Sequence, residues 1–153
     1  MIIYAYKGRS LISKMIKFQT RSEYSHIAFD LEDDLGVIEA WHKGGVTRSE
    51  SVSTLHKKGT EVDVFRVDDS YDNGRVRDFV NAQIGKKYDF KAIGRFLTRR
   101  DHRADNKWFC SELAFAALCE GGLPLLKRIP ASHVSTRDLV LSPYLRYVET
   151  VVC

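Results

Sequence analysis

Three side chains spread along the chain could together carry acyl-transfer chemistry: the thiol of Cys110, the imidazole of His26 and the carboxylate of Glu39. A thiol becomes a useful nucleophile when an imidazole can take its proton and a third polar group orients that imidazole. In CSELAFAALCE, positions 110, 113, 114, 117 and 118 recur at helical spacing, so the segment reads as a helix with Cys110 on its first turn, facing inward. The unpaired N–H groups and positive dipole end there favour a thiolate, and the same N–H groups can hold the oxyanion formed on attack at a carbonyl. A small core residue fits the position equally well, because unpaired cysteine is among the most buried side chains. On the helix alone both readings stand. Cys119, at the far end of the segment, lacks the N-terminal field and reads as packing.

The imidazole with the most distinctive setting is His26. In SHIAFDL, Ile27, Phe29 and Leu31 form one face of a strand, and His26, Ala28 and Asp30 form the other. His42, His56, His102 and His133 lie in polar, turn-like surroundings where a solvated histidine is expected. A four-residue loop EDDL at 32–35 would pair Leu31 with Gly36, Ala28 with Glu39 and His26 with Trp41. Glu39 is then diagonal to His26 on one face, at a Cα spacing of roughly 7–8 Å that the two side chains can bridge. A carboxylate within apolar VIEAW is costly to bury without such a partner. A register slipped by one residue would put the two on opposite faces, and a strand histidine satisfied by other groups is the structural alternative.

The elements that must position these groups follow from periodicity and turn chemistry. IIYAY, HIAFDL, VIEAW, TEVDVFRV and LRYVETVV read as strands, and SLISKMIKFQ, YDNGRVRDFVNAQIG, YDFKAIGRFLTRR and CSELAFAALCE as helices, with a helical turn in VSTRDLVL. Gly85 suits a left-handed position closing the second helix. The class is α+β, with a mostly antiparallel sheet packed against helices. With 153 residues and no repeat, low-complexity tract or Pro/Gly-rich linker, residues 1–153 read as one domain.

Taken together, SHIAFDL with His26, VIEAW with Glu39, AQIGKKYDF with Gly85 and Tyr88, and WFCSELAFAAL with Cys110, Ser111 and Glu112 resemble the papain-like NlpC cysteine amidases and peptidases in their circularly permuted form, where the histidine hairpin precedes the cysteine helix. RIPASHVSTRDLVLS resembles the segment that follows that helix, so the resemblance covers about residues 22–142. It implies a circularly permuted papain-like (NlpC-type) fold, a Cys110 nucleophile, His26 as base and then acid, and Glu39 orienting the imidazole. It points to Tyr88 and Ser111 for oxyanion or substrate binding. Phe109 stands where the ordinary family has an aspartate, so peptidoglycan specificity is not carried over. Lecithin:retinol acyltransferase-like proteins share the residue order but carry N-C-E-H around the cysteine, and F-C-S-E argues against that branch.

The expected substrate is therefore an amide or ester, in a peptide, a cell-wall fragment or a lipid, and this chemistry calls for no metal and no organic cofactor. The formal net charge of +4 permits an anionic partner. Lys87, Lys91, Arg95 and Arg99 recur every four residues, a basic stripe if the segment is helical; it reads either as a solvated face or as a contact for an anionic substrate or surface. A rival to the enzyme is a binding module of the same fold that uses this stripe on an anionic lipid or cell-wall surface. No nucleic-acid-binding motif is identifiable. Charges at Lys7, Arg9, Lys14 and Lys17 break up the N-terminal apolar run, so neither a signal peptide nor a transmembrane segment is read there, and the chain is expected to be cytoplasmic as synthesised, with a cell-envelope target allowed.

Overall fold

The computed structural model describes residues 1–68, 70–98 and 106–153, with the backbone alone at 95–98. In chain order the elements are β1 (Ile2–Tyr6), α1 (Leu11–Thr20), β2 (His26–Asp30), β3 (Val37–Trp41), β4 (Gly45–Ser49), β5 (Glu61–Val67), α2 (Asn73–Gln83), β6 (Lys87–Tyr88), α3 (Phe90–Thr98), β7 (Lys107–Trp108), α4 (Cys110–Glu120), a 3-10 turn at Ala131–His133, α5 (Thr136–Val140) and β8 (Leu145–Val152). Six strands form an antiparallel sheet in the order β4-β3-β2-β1-β5-β8, and β6 and β7 form a short parallel pair. No described helix is long and apolar enough to cross a membrane.

Local chemistry sets the element ends. The Ser10 hydroxyl caps α1 by accepting from the Ser13 N–H, and the Asp72 carboxylate caps α2 by accepting from the Arg75 N–H. At α4 a phenylalanine occupies the cap position, and the Glu112 carboxylate reaches back to accept from the Phe109 N–H at 3.4 Å. Gly85 closes α2 with φ +84°, in the left-handed region where a Cβ is disfavoured.

The sheet separates two environments by strand parity. On one face Ile3, Ala5, Ile27, Phe29, Ile38 and Ala40 join the main core, against which α4 packs Cys110, Leu113, Ala114, Ala117 and Leu118. The other face carries a smaller apolar cluster of Tyr6, Ala28, Val37 and Val62. Tyr6 pairs with His26, and Ala28 pairs with Glu39, so His26 and Glu39 belong to this second face. Residues 50–60 fold back over it: the Tyr6 hydroxyl donates to Val52 O at 3.0 Å, and Gly59 and Thr60 exchange backbone hydrogen bonds with Cys153 at the end of β8.

Strand β4 and the short pair β6 and β7 depart from expectation. Strand β4 (GVTRS) was not anticipated, because its glycine and its polar residues give no apolar alternation; it forms because it pairs β3 across its whole length. Gly45 takes φ +73° and passes so close to Lys86 O that a Cβ would collide with it. Val46 N–H then donates to Lys86 O and Gly85 N–H to Val46 O, which anchors β6 beside β4. Lys87 consequently lies in β6 and not on α3, so the expected helical basic stripe does not include it.

Candidate functional site

The loop EDDL produces the register that alternation demands: Asp30 opposes Val37, Phe29 opposes Ile38, and Ala28 opposes Glu39. His26 Nε2 lies 2.7 Å from Glu39 Oε2, and the carboxylate is 1% exposed. A third side chain joins them. His56 Nε2 reaches the same Glu39 oxygen at 3.1 Å, with its imidazole almost wholly buried. The Ser49 hydroxyl donates to the other oxygen, Oε1, at 3.3 Å. Aromatic rings fix both imidazoles: Tyr6 stacks on His56 with centroids 3.7 Å apart, and Trp41 meets His26 and His56 edge-on at 5.3 and 4.9 Å.

The electrostatics of the cluster determine its protons. Burial works to raise the Glu39 pKa, but the hydrogen bonds from His26 and His56 outweigh it and hold the carboxyl at about 2. Glu39 is thus ionised at neutral pH and can only accept, so each imidazole directs an Nε2–H at it. Burial pushes His26 below its ordinary value against the pull of Glu39, which keeps the ring neutral. A neutral His26 with its proton on Nε2 has its lone pair on Nδ1.

Cys110 sits at the N-terminus of α4, 1% exposed. The backbone N–H groups of Ile27, Ser111 and Cys110 itself act on its thiol and favour the thiolate. The first belongs to the peptide unit joining His26 to Ile27, where β2 runs on past its registered pairing with β3. Burial nevertheless pushes the Cys110 thiol up to about 12, with the Glu39 charge adding to the rise. At rest the thiol and the His26 imidazole are both neutral.

The remaining expected residues divide. Tyr88 is buried beside Cys110 and packs edge-on against Phe90 at 5.0 Å; burial first, then the Cys110 charge, drives its pKa upward. The Ser111 hydroxyl points away from the thiol and donates to Val134 O at 2.7 Å, so it is the Ser111 backbone N–H that faces Cys110. Lys91 is exposed on α3, the Arg95 side chain is not described, and Arg99 lies outside the described residues. A different set of cations comes together instead. Lys43, Lys87 and Lys107, with His42, Tyr88 and Phe90, line a cavity of about 370 Å³.

Sequence reasoning missed His56. HKKG carries turn signals, which describe the local chain correctly, but the imidazole is drawn under the loop by Tyr6 and Glu39. A second unpaired histidine near a buried carboxylate was the available signal.

No family model matches this chain, and no curated protein matches it. Among solved structures it is similar to the crystal structure of metalloprotein yiiX from Escherichia coli O157:H7, a DUF1105 protein. The two are 20% identical, the match covers 97% of this chain and 94% of that one, and the TM-score is 0.73. A likeness at this identity is one of fold. These findings overturn the NlpC assignment: the chain's similarity lies with a DUF1105 metalloprotein, and nothing in the comparisons ties it to the papain-like NlpC family. The motifs that suggested it are short, and each meets a general need, an alternating strand or a helix start, that unrelated sequences also meet.

Proposed function

We propose that the protein is a cysteine-dependent hydrolase or acyltransferase that cleaves an amide or ester through an acyl-enzyme on Cys110. The observation that carries this reading is the position of the thiol at the α4 N-terminus, against the N–H of the peptide unit that bears His26, while buried Glu39 holds His26 Nε2 at 2.7 Å. Glu39 fixes the Nε2–H tautomer, so in this reading the Nδ1 lone pair is the acceptor for the thiol proton. Since burial disfavours a resting thiolate, proton transfer to His26 accompanies attack on the carbonyl. The Sγ–C bond forms as the carbonyl π electrons move to oxygen, and the N–H groups of Cys110 and Ser111 at the helix start would receive that oxyanion. His26 then returns the proton to the leaving nitrogen or oxygen, and next removes one from water or another acceptor that releases the acyl group.

In this reading an acyl substrate approaches from the lysine-lined cavity, which Tyr88 also lines, with Lys43, Lys87 and Lys107 suited to an anionic group on the substrate. The test is labelling by a thiol-directed acyl probe, read by peptide mass analysis. The wild type is expected to be labelled at Cys110, Cys110→Ala not at all, and His26→Ala about 10³-fold more slowly or worse. Labelling at Cys119 or Cys153 alone, or a rate indifferent to His26, would sink the proposal.

A further inference from the structure

His26, Glu39 and His56 present one nitrogen, one oxygen and one nitrogen that all lie within 4.8 Å of one another, under the 50–60 loop and against the second face of the sheet. Thiol chemistry uses only the first two. A single carboxylate oxygen approached by two imidazole nitrogens, at 2.7 and 3.1 Å, is more than one base requires. It resembles the ligand set of a divalent metal, two neutral imidazoles and a carboxylate. With zinc–ligand bonds of about 2.0–2.1 Å, neighbouring tetrahedral ligands stand roughly 3.3–3.4 Å apart, so the carboxylate oxygen would draw back from the two nitrogens by roughly 0.2–0.7 Å, with the nitrogens settling to the same spacing.

The surroundings also suit a metal. Ser49 holds the carboxylate oxygen that faces away from the two imidazoles, as outer-shell hydrogen bonds do for metal-binding carboxylates. Tyr6 and Trp41 fix the planes of both rings, so little conformational freedom is lost on binding. Three protein ligands leave a fourth position to water or another small ligand.

We infer that His26 Nε2, Glu39 Oε2 and His56 Nε2 bind one zinc-like divalent ion, and that the metal-bound form is inactive as a thiol enzyme. The first half stands on the cluster alone; the second rests on the proposed function. With Nε2 on the metal, neutral His26 carries its proton on Nδ1, and a donor cannot accept the Cys110 proton. Metal and thiol chemistry would compete for one imidazole from its two sides.

The experiment uses the full chain stripped with EDTA and titrated with Zn²⁺ by calorimetry, and with Co²⁺ by absorption. One ion per chain is expected, with visible cobalt bands and no near-ultraviolet thiolate band. Affinity should fall more than about 100-fold in His56→Ala and survive in Cys110→Ala. His56→Gln, which keeps a polar group under the loop, serves if the alanine variant fails to fold. Absence of stoichiometric binding, binding unaffected at His56, or a thiolate band would overturn the site. Zn²⁺ should also suppress Cys110 labelling and EDTA restore it; full labelling of the zinc-loaded protein would overturn the inactive metal form. If the metal-free wild type is never labelled at Cys110, the proposed function has failed, while the calorimetry and cobalt spectrum still decide the metal site.

Discussion

The two faces of one sheet do opposite work. On the α4 side, Ile27, Phe29, Ile38 and Ala40 meet Leu113, Ala114 and Leu118 in the apolar core, and that packing holds Cys110 in place. On the other side, one residue away along the same strands, His26 and Glu39 meet His56 in a pocket walled by Tyr6 and Trp41. Strand alternation alone separates them. Cys110 belongs by packing to the first face, and the N–H of Ile27 is the point at which it touches the second. The arrangement divides stability from chemistry: apolar burial fixes the helix, and a paired carboxylate sets the protons.

That division can be broken deliberately. The largest effect on stability is expected from Leu113→Ala, which empties a fully buried position and should cost about 2–5 kcal/mol in chemical denaturation, while metal stoichiometry stays the same. A variant of unchanged stability would mean that the two faces are not separated as described.

Acid should strike the polar face next. The folded pKa of Glu39 is depressed, from 4.5 to about 2, so its contribution is present above pH 4.5 and is lost as pH falls toward 2. That of His26 is also lowered by burial, so the unfolded chain binds the extra proton first and stability declines as pH drops below 6.5. Thermal midpoints should therefore fall on acidification in two stages, and Glu39→Gln should remove the lower one. A midpoint flat from pH 7 to 4 would contradict the burial of these groups.

The smallest effect is expected from Ser49→Ala. It removes the hydrogen bond to Glu39 Oε1 and should weaken Zn²⁺ binding by about 10-fold, with a stability change of roughly 1 kcal/mol. Equal affinity in the variant would show that the carboxylate is held by the two imidazoles alone.

Much of this was legible in the chain because it is local. Periodicity located α4 and put Cys110 on its first turn, and the turn residues at 32–35 set the hairpin register that brings Glu39 to His26. Each depends on residues near in sequence, where backbone geometry converts spacing directly into direction. Strand β4 and the placement of Lys87 in β6 were not legible, since both arise from the close passage of Gly45 against Lys86, a contact 41 residues apart in the numbering.

Alternation along the chain puts Ile27 in the core and His26 outside it, and the helix start follows from the spacing after Cys110. That His56 completes the cluster follows from packing between distant segments. Its own segment carries turn chemistry and no periodicity; the imidazole is buried because residues 50–60 are tied down by Tyr6 and by the end of β8, placing a third ligand-capable nitrogen on Glu39. A buried carboxylate recruits whichever partners the fold brings within reach, and that reach is a property of the packed chain.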